Sequence, residues 1–181
     1  MATGYTAQVS VSIASTMTKD TIPAVPGAGT ELNSVSNDSY SESYSKAFAF
    51  GVGSGNAKGT FHGTWSCAAG SQVVFDLTAT MSDALGDAIS ATEVKAVYIR
   101  NVSTTTGDLL EVLGDAAAVG QQVPFMLAAT DAVQLGPGGA ILIVSPIDGW
   151  AVAAGATDRI EVDNNQAGAI EFEIVIIYEH V

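Results

Sequence analysis

From Tyr5 to Ile13 the chain alternates without exception, Tyr5, Ala7, Val9, Val11 and Ile13 on one parity and Thr6, Gln8, Ser10 and Ser12 on the other. A period of two is the signature of a strand with one face covered. From Tyr40 to Phe50 the even positions Tyr40, Glu42, Tyr44, Lys46, Phe48 and Phe50 carry the large side chains, and the odd positions carry only Ser and Ala. A helix would mix these classes, whereas a strand segregates them. Phe61, Gly63, Trp65 and Cys67 again share a parity against Thr60, His62, Thr64 and Ser66, so that face is expected in the core. Further strands are predicted at Val73 to Leu77, Val94 to Val102, Leu109 to Leu113 and Val123 to Leu127, each bounded by Gly, Asp or Thr turn residues.

The segment from Leu135 to Tyr178 reads as turn, apolar strand, turn, polar-faced strand, turn, apolar strand. Gly136-Pro137-Gly138-Gly139 excludes a helix, and Ala140-Ile141-Leu142-Ile143-Val144 follows at once, apolar on both parities. Such a short run suits a strand covered on both faces. Pro146 and Asp148-Gly149 end it, Asp158 to Asp163 alternates charge with aliphatic, Asn164 to Gly168 turns, and Ile170 to Ile174 alternates again. Three strands joined by turns predict an antiparallel sheet. With about ten strands and no helix longer than a turn or two, the expected fold is all-β, an antiparallel sandwich of jelly-roll type in a single domain over 1–181. The stretch from Thr18 to Asn37, rich in Pro, Gly and Ser, is expected to be a long loop or extended arm.

At 181 residues the chain is long enough for a sizeable core, and 48% hydrophobic content excludes intrinsic disorder. Every apolar run is broken before it could span a bilayer as a helix, and the start lacks a basic stretch followed by an apolar one, so a protein made in a cytoplasm is expected, with no membrane partner. Nineteen acidic against six basic side chains give a formal charge of −13, and the cations are scattered, which disfavours nucleic acid. The same charge favours a basic partner surface, with affinity that falls as salt rises. Cys67 is the single cysteine, so no internal disulfide forms.

Reactive chemistry is hard to find. Asp163-Asn164-Asn165-Gln166-Ala167-Gly168 begins like a calcium loop, but Ala167 and Ile174 stand where oxygen ligands are required. Gly51-Val52-Gly53-Ser54-Gly55 has the glycines of a phosphate loop, yet a strand pattern and not a helix follows, so a hairpin turn is expected. His62 and His180 are far apart in sequence, and Cys67 shares parity with core aromatics. Asp83, Asp87, Asp108 and Asp115 read as surface turns before they read as a cation site, and Glu171 with Glu173 as a solvated or subunit-facing edge before a glycosidase pair. No catalytic residue, metal or cofactor is expected.

Leu85-Gly86-Asp87-Ala88-Ile89-Ser90, Val94 to Asn101, Ser103-Thr104-Thr105-Thr106-Gly107-Asp108 and Leu110-Glu111-Val112 together resemble small structural proteins of tailed bacteriophages. Gly136 to Gly139, Trp150 to Gly155 and Asp158 to Val162 are similar to the same group, so the resemblance covers roughly the C-terminal hundred residues. It implies a β-sandwich virion protein of the head decoration or cement type, a homotrimer on the capsid surface whose partner is the major capsid protein.

Two further expectations concern partners. Val175 and Ile177 are apolar on the face opposite Ile174, Ile176 and Tyr178, so this strand needs covering twice; with Glu171 and Glu173 they form the expected homo-oligomer interface. Ile22, Pro23, Val25, Pro26 and Leu32 are the expected capsid-docking arm. A tail or vertex component, and a carbohydrate- or receptor-binding module using Trp65, Trp150, Tyr40 or Tyr44 as stacking platforms, are the alternatives.

Overall fold

The computed structural model describes residues 6–21, 34–78, 81–83, 86–113 and 131–180. Its strands are β1 (Thr6–Thr21), β2 (Ser34–Phe50), β3 (Asn56–Ala57), β4 (Gly59–Cys67), β5 (Ser71–Asp76) and β6 (Glu93–Asn101), followed by β7 (Leu110–Leu113), β8 (Ala132–Leu135), β9 (Ala140–Val144), β10 (Trp150–Ala151), β11 (Arg159–Asn164) and β12 (Ile170–Glu179). No helix occurs among the described residues, and the protein is all-β. The expected strand at Val123 to Leu127 and the five arm residues Ile22, Pro23, Val25, Pro26 and Leu32 lie outside the described residues.

The chain divides into two units, Gln8–Lys46 and the remainder, Met1–Ala7 with Ala47–Val181. The larger unit is a sandwich. One sheet runs β9 and β10 on a shared edge, then β6, β12 and β4; the other runs β5, β11, β7 and β8. Counting β4, β5, β6, β7, β8, β9, β11 and β12 as first to eighth, the sheets read sixth-third-eighth-first and second-seventh-fourth-fifth, the order of an eight-stranded jelly roll. The expected antiparallel sheet of three consecutive strands at β9, β11 and β12 is therefore not formed. β9 pairs with β6, β11 with β5 and β7, and β12 with β4 and β6, because each connection crosses to the opposite sheet.

Alternation explains the core. Ile170, Phe172, Ile174 and Ile176 of β12 point inward between the sheets, against Val97 and Ile99 of β6, Ile160 and Val162 of β11, and Leu110 and Val112 of β7. Aromatic rings fill the β4–β5 side, where Phe75 packs edge-on to Trp65 and to Phe172 at centroid distances of 5.3 and 6.1 Å. Trp65 faces the core as expected but is 42% exposed, since β4 is a sheet edge among the described strands. The two strand-end asparagines, both buried, brace the ends of the sandwich. The Asn101 amide donates to the carbonyls of Asp108 and Leu135, and the Asn164 amide to those of Cys67 and Gly168.

The glycine cluster after β2 is not the antiparallel hairpin expected from sequence. Gly51, Gly53 and Gly55 all take positive φ, which L side chains resist, and the chain loops fully round so that β3 lies parallel to the end of β2. The Gly53 N–H, which a phosphate loop would aim at an anion, donates at 2.9 Å to the Glu179 carboxylate of the same chain.

In the smaller unit β1 and β2 are 16 and 17 residues long and adjacent. Residues 18–21 and 34–37, expected in the loop, are strand. The Gln8 side chain donates to Ser45 Oγ at 2.8 Å, which puts the Ser-rich parities of both strands on one face of the ribbon and by alternation Val9, Val11, Ile13 and Tyr44 on the other.

Candidate docking face

The outward face of the β9-β6-β12-β4 sheet is built by register. Leu142 of β9 stands opposite Tyr98 of β6, Tyr98 opposite Val175 of β12, and Val175 opposite His62 of β4. Since alternate residues face opposite ways, and Ile99, Ile174 and Phe61 point into the core, these four project outward as one row across the whole sheet. Leu142, Tyr98 and Val175 are half-buried and His62 is exposed, with a depression of about 200 Å³ among His62, Thr64, Tyr98, Glu173 and Val175.

One side of this row is polar. Ala140, Arg100, Glu173 and Thr64 form the next row, in which the Arg100 guanidinium and the Glu173 carboxylate lie 3.7 Å apart. Both are well exposed, so the pair contributes at most about 1 kcal/mol and acts as a rim. The other side is closed by the chain itself. Ile177, in the row Val144, Ala96, Ile177 and Thr60, is only 5% exposed, and Phe48, Ala57 and Ala96 are buried with it. Lys58 N–H donates to the Tyr178 carbonyl at 3.0 Å, and Gly55 N–H to the Pro146 carbonyl at 2.8 Å, which ties the 51–58 segment to strand β12 and to the 145–149 turn.

Beneath those two segments sits an ionic cluster. A bulge between Ile177 and Tyr178 pairs Tyr178 with Val94 and turns Lys95 out of the regular register. Lys95 is fully buried, bonded to Glu93, 3.4 Å from the Glu179 carboxylate and 3.5 Å from the Ile147 carbonyl. The cluster pins both covering turns to the sheet.

Of the four expected interface residues, Glu171, Glu173 and Val175 remain accessible on this face, whereas Ile177 does not. The second covering that Ile177 requires comes from the chain's own β3 region, so the open apolar row centres one register step earlier, at Val175. Leu142 and Tyr98 belong to it and were not singled out from sequence. The only signal for Leu142 was the double-sided apolar run of β9, and Tyr98 could be assigned to a face only once its strand neighbours were known.

Elsewhere Asp83, Asp87 and Asp108 take part in ordinary hydrogen bonds, while Asp115 lies outside the described residues. Asp83 and Asp87 close a tight turn in which the Asp83 carboxylate accepts the Asp87 N–H, and Asp108 accepts the Ser103 hydroxyl at 2.6 Å. That bond lines a polar cleft of about 290 Å³ between the 102–108 loop and Ala169 to Glu171, and no histidine or cysteine lines it. Among the described residues no three His, Cys, Asp or Glu side chains gather as a metal ion needs. Cys67 is buried, its Sγ on the Ser71 carbonyl at 3.1 Å, and burial followed by the nearby Asp163 charge pushes its thiol up from the ordinary range. Trp150 is half-buried against the core, while the His180 ring lies tilted beside that of Tyr178, 6.1 Å between centroids.

Fold and face together define an all-β jelly-roll sandwich with one partly apolar sheet surface. No protein family matches the chain, and no curated protein does. Among solved structures it is similar to a chain described under "Bacillus endospore appendages form a novel family of disulfide-linked pili", at a TM-score of 0.33 and 13% identity, covering 73% of this chain and 98% of that one. A likeness that loose carries no argument about function.

Proposed function

We propose that this chain is a non-enzymatic structural protein of a virion, a decoration protein that binds the assembled head shell of a tailed bacteriophage and bridges its major capsid protein subunits. The observation that carries the reading is the row Leu142, Tyr98, Val175 and His62, a largely apolar strip with one histidine that lies open on the outside of a jelly roll. Apolar sheet faces with polar rims are surfaces for protein partners. In this reading copies associate through that row as a homotrimer, and the arm residues Ile22, Pro23, Val25, Pro26 and Leu32 dock on an adjacent shell subunit. A protein that binds the assembled lattice and not its free subunits stabilises the lattice by mass action. The charge of −13 meets basic patches of the shell, which speeds encounter and makes binding salt-sensitive.

The test is the copy number of this chain in purified particles, by quantitative mass spectrometry against the major shell protein. Hundreds of copies support decoration; a handful move the protein to the tail or a vertex; absence ends the virion reading. One observation favours a second reading. Trp65 is 42% exposed at the edge strand β4, which leaves part of its indole open as a platform for a sugar. Quenching of Trp fluorescence by oligosaccharides, lost in Trp65→Ala, would favour that role.

A further inference from the structure

We infer that the outer edge of β1 is a strand-pairing site for β1 of a second copy of this chain, the two strands running antiparallel about a two-fold axis. Among the described strands β1 pairs only with β2, so its other edge, about 34 Å long from Gln8 to Thr18, offers its outward N–H and C=O groups to no described strand.

Three observations select a second copy as the occupant. Natural edge strands are protected by lysine, proline or shortness, and from Gln8 to Thr18 this one has none of those devices, Lys19 being the first charged residue along it. A two-stranded ribbon is marginal in water, and none of the side chains described between Gln8 and Lys46 is buried, Ile13 and Tyr44 being 58% and 44% exposed. Joining two ribbons edge to edge gives a four-stranded sheet, the size at which such sheets hold. The third observation is charge. Two molecules carrying −13 each repel, and Gln8 to Thr18 is an uncharged run along which two copies approach without setting like charges opposite one another. A two-fold also makes the surface self-complementary, so one strand suffices for both sides.

The geometry makes a sharp prediction for single cysteines placed one at a time from Gln8 to Thr18 in the full chain. In an antiparallel pair about a two-fold, each step away from the axis separates the two copies of the same residue by twice the strand rise, about 7 Å. A disulfide spans Cα atoms no more than about 7 Å apart. Oxidation of the pure protein with copper-phenanthroline is therefore expected to give covalent pairs at one or two neighbouring positions and a drop of tenfold or more on either side. Cys67, buried and poorly ionised, does not compete. As a second readout, Ser10→Lys with Ser12→Lys is expected to weaken pairing at least tenfold in sedimentation equilibrium, with the sandwich thermal transition unchanged. Equal cross-linking at all positions, cross-linking at none, or pairing indifferent to the lysines would overturn the inference. Because these measurements use no shell, their outcome is independent of the virion reading.

Discussion

Replacing Gly59 by alanine tests how tightly the end of β12 is held. Gly59 stands opposite Tyr178 across the β4–β12 pair, and a Cβ built there would lie 2.3 Å from Cζ and 2.4 Å from Oη of that ring. The Gly59 backbone is one that any residue adopts, so the whole penalty comes from this collision. Tyr178 is 3% exposed within the inter-sheet core and its ring must shift by more than about 1 Å, an overpacking that costs about 1–3 kcal/mol. Against it stands the gain of about 0.5–1 kcal/mol for alanine over glycine within a strand. The midpoints leave an expected net loss of about 1 kcal/mol in urea unfolding, or about 2–4 °C in Tm for a chain of this size. In a Tyr178→Leu background the colliding atoms are gone, and Gly59→Ala is expected to turn neutral or stabilising, a coupling of about 1.5 kcal/mol or more. A loss of the same size in both backgrounds, or none in the native one, would refute the argument.

Lys95→Met strips the buried cation from between Glu93 and Glu179; about 3 kcal/mol of lost stability is expected, with faster amide exchange at Gly53 and Gly55 as the roof loosens. The folded Cys67 thiol keeps its proton to higher pH than the unfolded one, so its contribution to stability is complete below about pH 8.5 and is lost as pH rises through the folded value; Cys67→Ser flattens that decline, and native protein at pH 8 resists iodoacetamide until denatured. Val175→Glu with Leu142→Glu is expected to shift stability by no more than about 1 kcal/mol, yet to abolish trimer formation in sedimentation velocity and binding to undecorated shells; an unaltered trimer would remove the face from the proposal.

Period-two alternation carried most of the fold, because the two parities differ in kind along β1, β2, β4, β11 and the first half of β12. It could not carry pairing. The strands β9, β11 and β12 follow one another along the chain with only the two-residue β10 between them, yet are never neighbours, and only the jelly-roll order reveals it. Nor could it locate the four-residue β8 or the two-residue β10, too short to show a period. The double apolar character of β12 was legible, but its division was not: whether Ile177 is covered by the chain or by a partner depends on a parallel β2–β3 contact made possible by three positive-φ glycines. Lys95 shows the same limit. Its acidic neighbour Glu93 was visible in sequence, while Glu179 arrives from 84 positions away through a bulge that no local pattern announces.

The position of β12 at the centre of its sheet has a consequence for biosynthesis. Gly59 to Cys67 and Glu93 to Asn101 are made early, yet each needs β12 as the strand between them, and β12 is the latest of the sandwich strands to be made. Until Ile170 to Glu179 has emerged, the nascent sheet has a gap where its middle belongs and its aromatic side stays wet. Folding is thus a late event dominated by long loop closures, in the millisecond-to-second range typical of such topologies. A ribosome that stalls before β12 releases a chain with open strand edges, and a strong acidic charge is what keeps such a chain apart from its siblings while it waits.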